Sequence, residues 1–181
     1  MQKKPLKILV LNSKALKLSI DDLKAGTTVP VEWTITDLSN KDQVRKLLPD
    51  FDILVSTSLD ISWKNEAKGI KAIFMPGAGW DKISPEAVPD GCVVTNSYEH
   101  ESAIAEYVLM SMIALDRDLI NAHNTFTKND WDYWPQRFGP FKELSNRNVL
   151  VIGAGRIGKK VLELTSAFKM NNYAIDEFDI D

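Results

Sequence analysis

A chain of 181 residues, 44% of them hydrophobic, can build one large or two small domains with a real core, which excludes a disordered chain. Its 22 basic and 25 acidic residues are well mixed and leave a net charge of −3, so no nucleic-acid surface is expected. One cysteine, Cys92, allows no disulfide framework within the chain, and no apolar stretch reaches the length of a signal peptide or a membrane span; a cytoplasmic protein with no membrane partner is expected.

The first 98 residues alternate strand and helix patterns. Residues 7–11 (Lys-Ile-Leu-Val-Leu) and 31–36 (Val-Glu-Trp-Thr-Ile-Thr) read as two strands, with a short helix over 21–24 between them. Asn40 suits the N-cap of a helix running through Leu48, and Pro49 marks its end. Residues 52–56 read as a third strand, 63–68 as a short helix, 71–75 as a fourth strand and 92–95 as a fifth. Such alternation predicts an α/β domain over residues 1–98, a doubly wound, flavodoxin-like parallel sheet covered by helices on both faces.

A long helix is predicted from Ser102 to Asn121. Ile104, Val108, Met112, Leu115 and Leu119 lie along one face, and Ala105, Leu109, Ile113 and Ile120 widen it beyond the stripe of a surface helix. The expectation is burial on two sides, between domains or against a partner chain. Residues 130–141 then break regularity with Trp131, Tyr133, Trp134, Pro135, Gly139 and Pro140. An aromatic loop of this kind is expected to cover a hydrophobic surface rather than to form a ligand box.

Residues 149–158 (Val-Leu-Val-Ile-Gly-Ala-Gly-Arg-Ile-Gly) are an apolar run breaking into a G-x-G-x-x-G turn. Gly153 suits the tight strand-to-helix turn, Gly155 the approach of backbone to a pyrophosphate, and Gly158 the close packing of helix on strand. Downstream, Ile157, Val161, Leu164 and Phe168 recur at helical spacing, and a second apolar stretch (Tyr173, Ala174, Ile175) ends in Asp176. A carboxylate there accepts hydrogen bonds from the ribose hydroxyls of NAD and repels the 2′-phosphate of NADP. A plain glycine-rich turn and a solvated acidic tail, with Glu177 and Asp179 following, are the alternatives. Strand, turn, helix, strand and acid in this order predict the start of a Rossmann NAD-binding domain, with NAD as cofactor. Residues 99–181 then form an interdomain helix and an incomplete dinucleotide-binding domain. No metal site is predicted.

Four segments, in order and with fitting gaps, resemble the D-isomer-specific 2-hydroxyacid dehydrogenases, which include phosphoglycerate, glycerate, D-lactate and formate dehydrogenases. Gly77-Ala78-Gly79-Trp80-Asp81-Lys82-Ile83 is similar to the family's G-A-G-x-D loop. Val93-Val94-Thr95-Asn96 is similar to its V-x-V-T-N strand end, and Ile104-Ala105-Glu106 to its V-A-E helix start. Residues 144–158, then Ala167-Phe168-Lys169-Met170, resemble its glycine-rich and A-F-G-M stretches. The likeness covers essentially the whole chain and is specific to the family, not to a member.

The resemblance implies an oxidoreductase that moves hydride between NAD(H) and a small 2-hydroxy or 2-oxo acid. It implies that the amides around Gly77, Ala78 and Gly79 hold the substrate carboxylate, against the bland reading of an ordinary turn. Gly153, Gly155 and Gly158 would line the pyrophosphate. Arg156 and Ile157 would offer it backbone N–H groups, with the Arg156 guanidinium a further contact. Glu106 would be structural. Two positions depart from the pattern: Ala103 stands where a hydroxyl residue is usual, with Ser102 one step earlier, and Trp80 where a smaller aliphatic residue is usual. His100 and His123 are the two histidines; His123 is expected at the surface, and substrate contact by His100 is the lesser alternative to an ordinary solvated side chain.

The family's catalytic arginine, histidine and orienting acid come from later in the nucleotide domain, and neither histidine here matches that position. No catalytic residue is therefore assigned, and the chain is expected to be a truncated, inactive part of such an enzyme. The alternative is a non-catalytic truncated paralogue that binds nucleotide weakly or serves as an interaction protein. The family's dimers pack through the region of residues 100–145, so a homodimer is expected.

Overall fold

Leu6–Asn12 (β1) buries Ile8 and Val10 on one face and Leu9 and Leu11 on the other, as a strand enclosed on both faces must. It pairs in parallel with Val31–Asp37 (β2) on one side and Ile53–Val55 (β3) on the other. Ala72–Phe74 (β4) and Val93–Thr95 (β5) extend the sheet, which is parallel throughout in the order β2-β1-β3-β4-β5. All five expected strands are formed, within a residue or two at each end. The order is that of a flavodoxin-like doubly wound sheet. This computed structural model describes residues 4–13, 18–127 and 143–178, and the chain divides into two units, Met1–Tyr98 and Glu99–Asp181.

Each face of the first sheet has its own cover. Ile20–Ala25 (α1), capped by the Ser19 hydroxyl, sets Leu23 with Leu18 and Trp33 against Ile8, Val10 and Val55. On the other face Lys41–Leu47 (α2) starts where the Asn40 side chain accepts the Gln43 N–H, and Val44 and Leu48 join Leu9, Leu11, Leu54 and Ile73. Burying each such side chain is worth about 1.5–3 kcal/mol, so this face carries most of the unit's stability. Pro49 ends the helix in a tight turn, Leu48–Asp50.

The short helix expected over 63–68 is not an α-helix. Two 3-10 turns, Ile61–Trp63 and Glu66–Gly69, replace it. The Asp60 carboxylate caps the Ser62 N–H at 2.8 Å, and the Trp63 N–H reaches back three residues to the Asp60 carbonyl. These single turns are enough to deliver Trp63 and Ala67 to the core.

In the second unit Asn148–Ile152 (β6) and Asn171–Ile175 (β7) pair in parallel across Arg156–Ala167 (α5). The predicted helix over 102–121 is two helices, Glu101–Asp116 (α3) and Leu119–Thr127 (α4). Asp118 breaks it at φ 46°, a left-handed conformation that aspartate tolerates better than most residues. Its N–H bonds to the Leu115 carbonyl and its own carbonyl accepts the Ala122 N–H, so one residue ends α3 and starts α4. α3 packs on α5, yet Tyr107, Leu115 and Ile120 remain 68%, 81% and 74% exposed. Among the described residues of this unit nothing covers that second side. The aromatic segment 130–141 lies outside the described residues.

The buried side of α5 also differs from the expected stripe. Gly158, Val161 and Thr165 face inward, while Ile157 and Phe168 stay partly exposed. Thr165 is held by its own polar contacts. Its hydroxyl bonds Asn172 Oδ1 at 2.9 Å, and Asn172 Nδ2 donates to the Leu162 carbonyl at 2.8 Å, tying β7 to the helix.

Candidate functional site

The glycine turn is built where β6 ends. Gly153 stands at φ 94°, which disfavours any residue with a Cβ, and its N–H bonds the Ile175 carbonyl at 2.8 Å. Gly155 is the N-cap of α5, and no side chain caps the helix there. A Cβ on Gly155 would meet no protein atom within 4 Å, so the space over it is open to a ligand. Gly158 is different: a Cβ there would lie 2.0 Å from the Gly153 carbonyl oxygen and 3.1 Å from Val151 Cγ1. The three glycines thus serve a backbone conformation, an open approach and a helix-on-strand contact.

Asp176 follows β7 directly and is joined to that turn. Its Oδ2 accepts the Ala154 N–H at 2.5 Å and its Oδ1 the Phe178 N–H at 3.3 Å. These backbone donors, Phe178 first and Ala154 next, with Lys159 adding a weaker attraction, hold its carboxyl below the ordinary aspartate range. It is therefore an anion at neutral pH, placed beside the glycines. Arg156 is the first residue of α5. Its guanidinium is 67% exposed and lies 3.9 Å from Glu101 at the start of α3, an ion pair absent from the sequence reading. Ile157, next along, is partly exposed on the first turn of α5.

Gly77, Ala78 and Gly79 lie in the first unit, three to five residues beyond the carboxyl end of β4, the edge at which open α/β sheets bind ligands. They follow β4 rather than the point between β1 and β3 where the strand order reverses. Among the described residues no acceptor takes their three backbone N–H groups. Their carbonyls are engaged instead: Ser97 N–H bonds the Gly77 oxygen at 3.1 Å and Asn96 Nδ2 the Ala78 oxygen at 2.9 Å. Unpaired main-chain donors on small residues suit a carboxylate. Trp80, 59% exposed, follows immediately, and the Asp81 carboxylate stands 3.3 Å from where a Cβ of Gly79 would be.

The remaining singled-out residues are dispersed. His123 is exposed on α4, His100 precedes α3 without a capping bond from its side chain, and Ser102, Ala103 and Glu106 are exposed on α3. Among the described residues no three His, Cys, Asp or Glu side chains are grouped to hold a metal ion, and no helix is long and apolar enough to cross a membrane.

A strand, a glycine turn with one left-handed residue, a helix packed through Gly158, and a second strand ending in a pinned carboxylate define a dinucleotide-binding βαβ unit. Residues 109–181 match the NAD binding domain of D-isomer specific 2-hydroxyacid dehydrogenases, in agreement with the resemblance to that family in the sequence. NAD is the cofactor of the matched domain. D-3-phosphoglycerate dehydrogenase of Methanocaldococcus jannaschii is 31% identical over 76% of this chain and 27% of that protein. The fold is similar to that of an acyclic imino acid reductase solved with NADPH and D-arginine (TM-score 0.79, 20% identity, 97% of this chain and 58% of that one). It is also similar to NAD-dependent formate dehydrogenase from Staphylococcus aureus solved with NAD (TM-score 0.70, 20% identity, 96% of this chain and 57% of that one). The chain spans about a third or less of the length of the first curated relatives it matches.

Proposed function

We propose that this chain supplies the carboxylate loop and the adenosine half of the NAD site of an oxidoreductase acting on a small 2-hydroxy or 2-oxo acid. Bound NAD would supply the hydride chemistry. The chain's own part would be to hold. Gly155 would admit the pyrophosphate to the turn that Gly153 and Gly158 shape, with Arg156 and Ile157 at the first turn of α5 and Asp176 accepting from the ribose hydroxyls. Gly77, Ala78 and Gly79 would receive the acid's carboxylate. The observation that carries this reading is the Asp176 carboxylate held 2.5 Å from the Ala154 N–H, an anion fixed against the turn that would face the cofactor.

No arginine and histidine of this chain are assigned to polarise the acid or to exchange its proton, so the 181-residue chain should not oxidise NADH with glyoxylate, pyruvate or hydroxypyruvate. The exposed apolar residues of α3 and α4 support a homodimer through residues 100–145. The single cysteine fits a cytoplasmic setting.

Calorimetry with NAD, ADP-ribose and NADP tests the cofactor assignment. Hydrogen bonds to a charged acceptor contribute about 1.5–3 kcal/mol, so Asp176→Ala should weaken NAD binding about ten- to a hundredfold. NADP should be little affected or bind better. Equal loss for both dinucleotides would show that Asp176 is only part of an acidic tail.

A further inference from the structure

We propose that Asn96 is a positioning residue that turns the backbone amides of Ala78 and Gly79 outward to meet a carboxylate. The inference rests on the carboxylate role proposed above for the loop.

The argument begins with the planar peptide. In a trans peptide the carbonyl of one residue and the N–H of the next point in opposite directions, so fixing one aims the other. Three carbonyls after β4 are fixed from the same side by the stretch after β5. Ser97 Oγ donates to the Met75 oxygen at 3.2 Å, the Ser97 N–H to the Gly77 oxygen at 3.1 Å, and Asn96 Nδ2 to the Ala78 oxygen at 2.9 Å. Fixing the Gly77 carbonyl aims the Ala78 N–H away from residues 96–97, and fixing the Ala78 carbonyl aims the Gly79 N–H the same way. Among the described residues no acceptor takes either N–H.

The two ties differ in kind. The Gly77 carbonyl is held by backbone, which any residue at position 97 except proline supplies. The Ala78 carbonyl is held by a side chain, so the direction of the Gly79 N–H depends on Asn96. The same Nδ2 also donates to the Tyr98 hydroxyl oxygen at 3.0 Å, which fixes the plane of the amide. An aspartate of the same shape has no hydrogen to give and would set an anion against the Ala78 oxygen. It would also repel an incoming carboxylate. Asparagine is the residue that both braces the loop and leaves the approach free of charge.

The test is an amide-resolved NMR titration of the whole chain with pyruvate, with acetate as a second carboxylate, for the wild type, Asn96→Ala and Asn96→Asp. Thermal unfolding is recorded alongside. In the wild type the Ala78 and Gly79 amides should shift with pyruvate. Losing one oriented donor should weaken the apparent affinity about fivefold in Asn96→Ala, and more in Asn96→Asp, with the loss largest at Gly79. Because Asn96→Asp keeps the side chain's shape, it gives a second reading should the alanine variant fold poorly. Wild-type and variant titration curves that coincide at temperatures where both are folded would overturn the positioning role alone. Wild-type amides at 77–79 that ignore both carboxylates would overturn the carboxylate role of the loop and this inference with it.

Discussion

Gly155 and Gly158 are three residues apart on one turn, and alanine at the two positions should fail in opposite ways. A Cβ on Gly158 would stand 2.0 Å from a backbone carbonyl oxygen and 3.0 Å from the carbonyl carbon of the same residue, Gly153. No rotamer change relieves a clash with backbone, so α5 must lift from β6 or the turn must deform. Overpacking costs about 1–3 kcal/mol in ordinary cores, and this contact belongs at or above the upper end. The better helix propensity of alanine returns about 1 kcal/mol. The net loss of about 2 kcal/mol corresponds to a fall in Tm of about 8–16 °C for a unit of this size. Gly155→Ala meets nothing within 4 Å, and the residue's φ of −67° suits alanine. It should therefore unfold within about 0.5 kcal/mol of the wild type. Its methyl group would occupy the space proposed for the pyrophosphate, so ADP-ribose affinity should fall while stability holds. Circular dichroism melts and ADP-ribose calorimetry on the two variants measure both effects. A Gly158→Ala chain with wild-type Tm, or a Gly155→Ala chain with wild-type affinity, would refute the division of labour among the glycines.

Two further outcomes follow from ionisable groups. Asp52 accepts from Lys71 Nζ at 2.6 Å and from the Lys7 N–H at 3.1 Å, and these bonds hold its carboxyl below the ordinary value. A depressed folded pKa adds stability above the unfolded value of about 3.9 and loses it as pH falls through the folded value. The Lys71 partner is 72% exposed, so Asp52→Asn should cost only about 0.2–1 kcal/mol at neutral pH. The asparagine variant should then lose Tm less steeply than the wild type as the solution is acidified below the carboxylate range; parallel curves for the two chains would contradict this. Burial pushes the Cys92 thiol up, so at neutral pH it should react with iodoacetamide more slowly than free cysteine does, and a faster rate would contradict the burial argument.

Much of the fold was legible because parallel strands advertise themselves. Runs such as Lys-Ile-Leu-Val-Leu and Val-Leu-Val-Ile, closed by polar or glycine residues, each became a strand with ends within a residue or two of the reading. What escaped was local geometry that competes with periodicity. Apolar residues keep helical spacing across Arg117 and Asp118, so a pattern that counts side chains cannot detect one residue at φ 46°. On α5 the spacing of Ile157, Val161, Leu164 and Phe168 suggested one stripe. The helix instead turns toward Gly158, because the smallest residue permits the closest approach to β6, and Thr165 is buried by hydrogen bonds that a hydrophobic pattern ignores.

The candidate sites divide along the same line. A glycine turn and an acid at the end of the next strand are local, and their spacing alone brought Asp176 into consideration. That its carboxylate accepts the Ala154 N–H depends on the β6–β7 register, which pairs Ile152 with Ile175 and so sets the residues just beyond both strands side by side. Asn96 shows the limit more sharply. The β4–β5 pairing matches Phe74 with Thr95, an offset of 21 residues that carries 96 and 97 alongside the loop after β4. Nothing within residues 77–79 or within Val-Val-Thr-Asn announces that offset, because register is fixed by which apolar faces are buried across the whole sheet. A brace between two loops becomes visible only once both strands are paired, and the orientation of the unpaired amides at 78 and 79 follows from that pairing rather than from the glycines that first drew attention to them.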